Sequence, residues 1–176
     1  MFNKIIIGMI IFGINIISCD DSIENTIDTA LNGTWYEEVD ISSLDSWIFY
    51  LKLNNGNYET YNTFNDTRNP GGGKGIYTAN NGLFTMVATH YYLENEDSEF
   101  EDYSIEKDRW YTKNELKNSL GLSENIFEEK YGYIFKPFVY NYGVNQYNLI
   151  FTLVSYPGYP EGSPYSPREV IYFKRL

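Results

Sequence analysis

Leu31-Asn32-Gly33-Thr34-Trp35-Tyr36-Glu37-Glu38-Val39 opens the folded part of this chain. Trp35, Glu37 and Val39 alternate with Thr34, Tyr36 and Glu38, which is the period of a strand. Gly33 lets the backbone turn sharply or pack closely where that strand begins. Trp35 brings a large apolar area and one N–H donor, so it suits the floor of a small barrel. The next stretch has the same character. Trp47, Phe49, Leu51 and Leu53 alternate with Ile48, Tyr50 and Lys52. Asn54-Asn55-Gly56-Asn57 then predicts a tight hairpin, because Asn and Gly both tolerate positive φ.

Working outward, Tyr58 to Phe64 reads as the returning strand. Asp66 to Lys74 holds Asn69-Pro70-Gly71-Gly72-Gly73 and reads as a loop. A phosphate cradle is excluded there, since no Gly-Lys-Ser/Thr follows. Gly75 to Ala79 is a strand, Asn80-Asn81-Gly82 a turn, and Leu83 to Tyr92 a long strand. Strict alternation puts Phe84, Met86, Ala88, His90 and Tyr92 on one face. Glu94 to Asp102 is an acidic loop without the spacing or central Gly of a calcium loop. Tyr103 to Tyr111 reads as a further strand.

The pattern then changes. Thr112 and Glu115 match a capping box, Leu116 and Leu120 share a helical face, and Gly121 is placed to end the helix. Ser123 opens a second short helix carrying Ile126 and Phe127, which gives a helical insertion over 112–130. Tyr133 to Tyr140 is a strand interrupted by Pro137, and Asn141-Tyr142-Gly143 a turn. Tyr147, Leu149, Phe151 and Leu153 then alternate with Asn148, Ile150, Thr152 and Val154. Ser155 to Pro167 is a Pro-Gly loop. Its Tyr156, Tyr159 and Tyr165 either cover a barrel end or present an aromatic surface to a partner or sugar. Glu169 to Arg175 is the last strand, with Ile171, Phe173 and Arg175 on one face. The expected fold is all-β: an antiparallel up-and-down barrel of about eight strands with a short helical insertion.

The first strand resembles that of the lipocalins, which carries Gly-x-Trp, and more closely the bacterial lipocalin-like domains that begin Leu-x-Gly-Thr-Trp. Asn55-Gly56-Asn57-Tyr58, Gly75-Ile76-Tyr77-Thr78 and an aromatic-basic final strand extend the resemblance over most of residues 31–176. It implies structural roles for Gly33 and Trp35, and an Arg from the last strand packed over the Trp. Arg175 is the first choice, with Arg168 and Lys174 competing.

Residues 1–18 read as a lipoprotein signal peptide. Lys4 is its charge, and Ile5 to Ile17 is an apolar run shorter than the roughly 20 residues of a membrane span. Ile16-Ile17-Ser18-Cys19 resembles the bacterial lipobox. Cys19 is the single cysteine and the expected attachment point for diacylglyceryl and palmitate chains, with 19–30 a lipidated tether and a short helix within 20–30 the alternative. The domain would then face the periplasm or the exterior from the cell membrane or the outer membrane. No internal disulfide is possible.

Loss of the leader removes one base and leaves 12 basic against 24 acidic residues, a formal charge of −12. That argues against nucleic acid as a partner and against binding anionic membranes by charge. His90 is the only histidine, and no metal-ligand spacing accompanies it. No catalytic set and no cofactor motif is present, so the chain reads as a non-enzyme. Two readings remain. In one, the barrel binds a small apolar ligand through Phe84, Met86, Ala88, Tyr92 and Phe151. Small residues such as Thr85, Ala88 and Thr89 would leave the room. In the other, large rings fill the barrel, and the protein meets a protein partner through its loops.

Overall fold

The computed structural model describes residues 28–42, 45–64, 67–95, 100–158 and 168–176. The leader, Cys19 and the tether as far as Ile27, and also Tyr159 and Tyr165, lie outside them. Eight antiparallel strands close on themselves and a further strand extends the wall. β1 (Gly33–Ser42), β2 (Asp45–Asn54), β3 (Asn57–Phe64), β4 (Thr67–Asn80) and β5 (Leu83–Leu93) pair in chain order. The chain then makes β6 (Arg109–Thr112), α1 (Lys113–Ser119) and α2 (Glu124–Lys130). It returns as β7 (Phe138–Val144), β8 (Asn148–Ser155) and β9 (Val170–Arg175). β9 pairs with β1 at Trp35↔Arg175 and Tyr36↔Lys174, which closes the barrel. The seam is two residue pairs long, and from Glu37 onward β1 pairs only with β2.

β5 is shared. Its first half, Leu83 to Met86, pairs with β7, and its second half, His90 to Leu93, pairs with β6. The insertion therefore continues the wall past the barrel. It has its own core of Leu93, Phe100, Tyr111, Leu116, Leu120, Phe127 and Tyr131. The capping box is present: Glu115 N–H donates to Thr112 Oγ1 at 3.3 Å, and Thr112 N–H donates to Glu115 Oε2 at 2.8 Å. Gly121 follows α1 with φ +67°.

The two ends of the barrel differ. One end holds the Asn55-Gly56 and Asn81-Gly82 turns, all four residues at positive φ, and the Asn145–Tyr147 turn. Thr29–Leu31, a single 3₁₀ turn, lies across this end. We call it the closed end. The other end carries the β1–β2 and β3–β4 connections, the insertion, and the link from β8 to β9.

Four local expectations are corrected. The Pro-Gly run is strand, not loop: Asn69 and Pro70 pair with Asn62 and Tyr61, and Gly73 pairs with Tyr91. Partner strands on both sides outweigh its poor propensity. Asn141-Tyr142-Gly143 lies inside β7, and the reversal comes at Asn145. There Asn145 Oδ1 accepts from the N–H groups of Tyr147 and Asn148, both at 2.9 Å. Tyr133 to Phe135 belongs to a 3₁₀ turn, Gly132–Phe135, because Ile134 and Phe135 pack on the insertion core. Of Tyr103 to Tyr111, only the segment from Arg109 joins the sheet, while Tyr103 and Ile105 pack on that same core.

Candidate functional site

The closed end is built on Trp35. Its ring has no exposure, and its Nε1–H donates to Leu31 C=O at 2.8 Å. The Arg175 guanidinium lies 4.6 Å from the ring centroid. It also donates to Ala30 C=O at 2.9 Å and Asn32 C=O at 2.8 Å. Arg175 thus joins the last strand, the first strand and the 3₁₀ turn in one contact set. Gly33 has φ +145°, a backbone conformation that favours glycine, while a Cβ there would be in ordinary contact with the guanidinium at 3.5 Å. Asn32 fastens the same turn to the β2–β3 hairpin through Asn55 N–H, which donates to Asn32 Oδ1 at 2.9 Å. Asp28 belongs to this end as well, since the Tyr142 hydroxyl donates to its Oδ2 at 3.1 Å.

Above Trp35 the barrel is filled by rings. Phe84 stacks on Tyr77 at 5.0 Å and meets Phe151 at 4.6 Å, and Phe151 stacks on Tyr140 at 5.1 Å. Leu31, Phe84 and Leu149 have no exposure, and Phe151 has 2%. Towards the open end the inward side chains change. Phe49, Met86, Phe138, Leu153 and Ile171 lean on the core but keep accessible surface, and Ala88 is only half-buried. The wall facing them is made of small residues, Gly73 and Gly75, with a Cβ at Gly73 lying 3.7 Å from Ala88 Cβ. Glu37 shares the inward face and is largely buried. It is held by a bidentate pair with Arg168. Asn62 Oδ1, opposite Phe49, is buried with no hydrogen-bond partner.

Of the five residues expected to meet a ligand, Phe84, Met86, Ala88 and Phe151 face inward, and only Met86 and Ala88 line the open half. Tyr92 is on the other face. The β4–β5 register shifts between Lys74 and Gly75, so Thr89 is an extra residue. The phase of β5 inverts beyond that bulge. Tyr91 and Leu93 turn inward to the insertion core, while His90 and Tyr92 turn outward. Tyr92 meets Trp110 edge-on at 5.2 Å, and Lys74 lies 4.5 Å over the same indole. Thr85 and Thr89 also face outward, so of the three small residues only Ala88 leaves interior room.

The outer wall around this bulge forms an open cleft of about 300 Å³ lined by Lys52, Glu59, Lys74, Thr89 and His90. His90 Nδ1 lies 3.0 Å from Thr89 Oγ1. Among the described residues no three His, Cys, Asp or Glu side chains gather as a metal site, and no helix is long and apolar enough to cross a membrane. The pairing of Glu37 with Arg168 and the Thr89 bulge were not visible in the sequence. The closing turn at Thr29–Leu31 had one signal, Leu31 just before the Gly-Thr-Trp run.

Buried tyrosines give the barrel a pH signature. Burial, then the hydrogen bond to Asp28 and its charge, push the Tyr142 phenol up to about 12. Burial also raises Tyr58 and Tyr77. These phenols stay neutral in the folded protein and ionise near 10 once unfolded. Their contribution is complete below pH 10 and is lost as pH rises towards 12. In an alkaline absorbance titration, Tyr58, Tyr77 and Tyr142 are expected to ionise only as near-ultraviolet circular dichroism collapses. Their ionisation near pH 10 with the dichroism intact would contradict this.

No protein family, curated protein or solved structure matches this chain.

Proposed function

We propose that this protein is an envelope lipoprotein, anchored through acylated Cys19, whose barrel holds one small apolar ligand in its open half. This is the way of the lipocalin-like proteins that its first strand resembles. One observation carries the binding half of the reading. Leu31, Trp35, Phe84 and Leu149 have no exposed surface, whereas Phe49, Met86, Ala88, Phe138 and Ile171 in the open half keep some, as do Tyr142 and Val144 at the closed end. An eight-stranded barrel has room for its own side chains or for one small ligand, and here the two uses divide the barrel lengthwise. The wall is mainly apolar, interrupted by the Glu37–Arg168 pair and Asn62, and its apolar part favours an acyl chain or a small hydrophobic molecule over a sugar or nucleotide. The Ile16-Ile17-Ser18-Cys19 sequence supports the anchor. The protein acts by binding and carries no reaction.

Ala88→Trp places an indole in the open half and leaves the closed end untouched. The variant is expected to bind a fluorescent fatty acid at least tenfold more weakly than the parent, about 1.4 kcal/mol. Native mass spectrometry of the parent from its own envelope should show added mass that leaves on denaturation. Equal dye binding by parent and variant, together with a bare mass from the envelope, would replace this reading with a filled barrel that works through its outer surface.

A further inference from the structure

The charge of this molecule is unevenly placed. The closed end is formed by residues 28–33, 53–58, 78–84, 143–149 and 173–176. The charged side chains among these are Asp28, Lys174 and Arg175, two cations against one acid. Their polar residues are mainly asparagine, at 32, 54, 55, 57, 80, 81, 145 and 148. Every other carboxylate of the described residues lies elsewhere, including Glu37, Glu94, Glu101, Asp102, Glu106 and Glu124. Among the described side chains this end therefore carries two cations and one acid, while Asp20, Asp21 and Glu24 of the tether lie outside the described residues.

That end also exposes apolar side chains. Tyr147 at the β7–β8 turn is 67% exposed, Leu176 beyond β9 is 77%, and Leu83 at the start of β5 is 43%. Tyr147 and Leu176 are neighbours, since Arg175 N–H donates to Tyr147 C=O and Leu176 N–H to Thr34 C=O. Tyr172, paired with Ile150, continues the patch along the outer wall. An amphipathic Tyr beside leucine and lysine is the composition that settles at a bilayer interface.

The tether leaves from this end. Asp28 is fixed there by Tyr142, and Cys19 is nine residue steps away, about 30 Å at full extension. Lipid on Cys19 would hold the closed end within that distance of the bilayer. The effective concentration is then high enough for a weak contact to persist. We propose that the closed end, through Tyr147 and Leu83, rests on the lipid surface that anchors the chain, and that the open half of the barrel faces away from it. The proposal rests on the Cys19 anchor. It means that the ligand enters and leaves on the aqueous side, not from the anchoring membrane.

The test uses the full lipidated protein in phosphatidylcholine vesicles containing brominated chains. A fluorophore is placed on Tyr147→Cys or, at the opposite end, on Glu101→Cys. The expected result is strong quenching of the label at 147 and none at 101. In a Tyr147→Cys protein that also carries Leu83→Asp, the quenching should fall. Equal quenching at both positions, in a protein that floats with the vesicles, overturns the docking and leaves the anchor standing. Protein that shows no acyl mass and does not float overturns the anchor, and the docking with it.

Discussion

Trp35→Ala is expected to remove about 3–5 kcal/mol of stability, the usual cost of deleting a fully buried large ring. Three losses combine at this position. The indole is completely buried, so its removal leaves a cavity in a floor that strands cannot readily collapse. Its N–H no longer reaches Leu31 C=O, which is left without that donor. Arg175 loses the face over which it sits at 4.6 Å, a contact of about 0.5–2 kcal/mol. Against a total stability of about 5–15 kcal/mol, the variant is close to unfolding at room temperature. In a chain of this size each kcal/mol moves the melting temperature by about 2–4 °C, so a drop of about 6–20 °C is expected. Arg175→Lys should cost less, because it keeps a cation near the ring but cannot span Ala30 C=O and Asn32 C=O together. Urea unfolding of the parent and both variants at neutral pH decides the matter. An unchanged midpoint for Trp35→Ala would remove the closed end as the structural anchor of the barrel.

Gly33 and Trp35 were legible because a Gly two residues before a Trp at a strand start has a physical use, whereas Arg175 over Trp35 was only what the lipocalin resemblance implied, with Arg168 and Lys174 competing. The hairpins were legible because Asn-Gly turns need positive φ at both residues, and Asn55-Gly56 and Asn81-Gly82 show it. The capping box was legible because its two hydrogen bonds are made within one turn of chain. What failed to show depends on partners distant in sequence. Asn69 to Gly73 has poor strand propensity, and only β3 and β5 on either side make it a strand. Glu37 and Arg168 look like surface charges until 131 positions of chain are folded away between them. The Thr89 bulge was invisible because β5 has apolar or amphipathic side chains on both faces. Phe84 to Tyr92 alternates equally well in either phase, so nothing local marks where the phase inverts. That one extra residue moved Tyr92 from the expected ligand wall to the outer surface beside Trp110.

Gly75→Ala is expected to be nearly as damaging as loss of the indole, though it adds a single methyl group. A Cβ at this position would lie 2.0 Å from Val87 C=O oxygen and 2.9 Å from both Ala88 Cα and Thr89 N. All three are backbone atoms of the paired strand, so no rotamer change relieves the clash. β4 and β5 must part where the register shifts. Overpacking of this kind costs up to about 3 kcal/mol. Gly82→Ala is the control, because its Cβ would meet nothing within 4 Å, while its φ of +79° is unfavourable to an L side chain. That change should cost about 1–2 kcal/mol through backbone conformation alone. The two substitutions thus separate steric approach from glycine conformational freedom. Gly75→Ala should also have a directional effect. If the bulge is lost, the phase of β5 beyond it reverts, and Tyr91 and Leu93 turn away from Phe100, Tyr111 and Leu116. Amide exchange should therefore accelerate in 90–93 and in 109–120, with the Leu31–Trp35 end protected as before. A Gly75→Ala protein as stable as Gly82→Ala, with unchanged exchange in 109–120, would mean that the bulge does not hold the insertion on the barrel. As it stands, one glycine lets two strands approach closely enough for β5 to serve two cores, its first half filling the barrel and its second half carrying the helices.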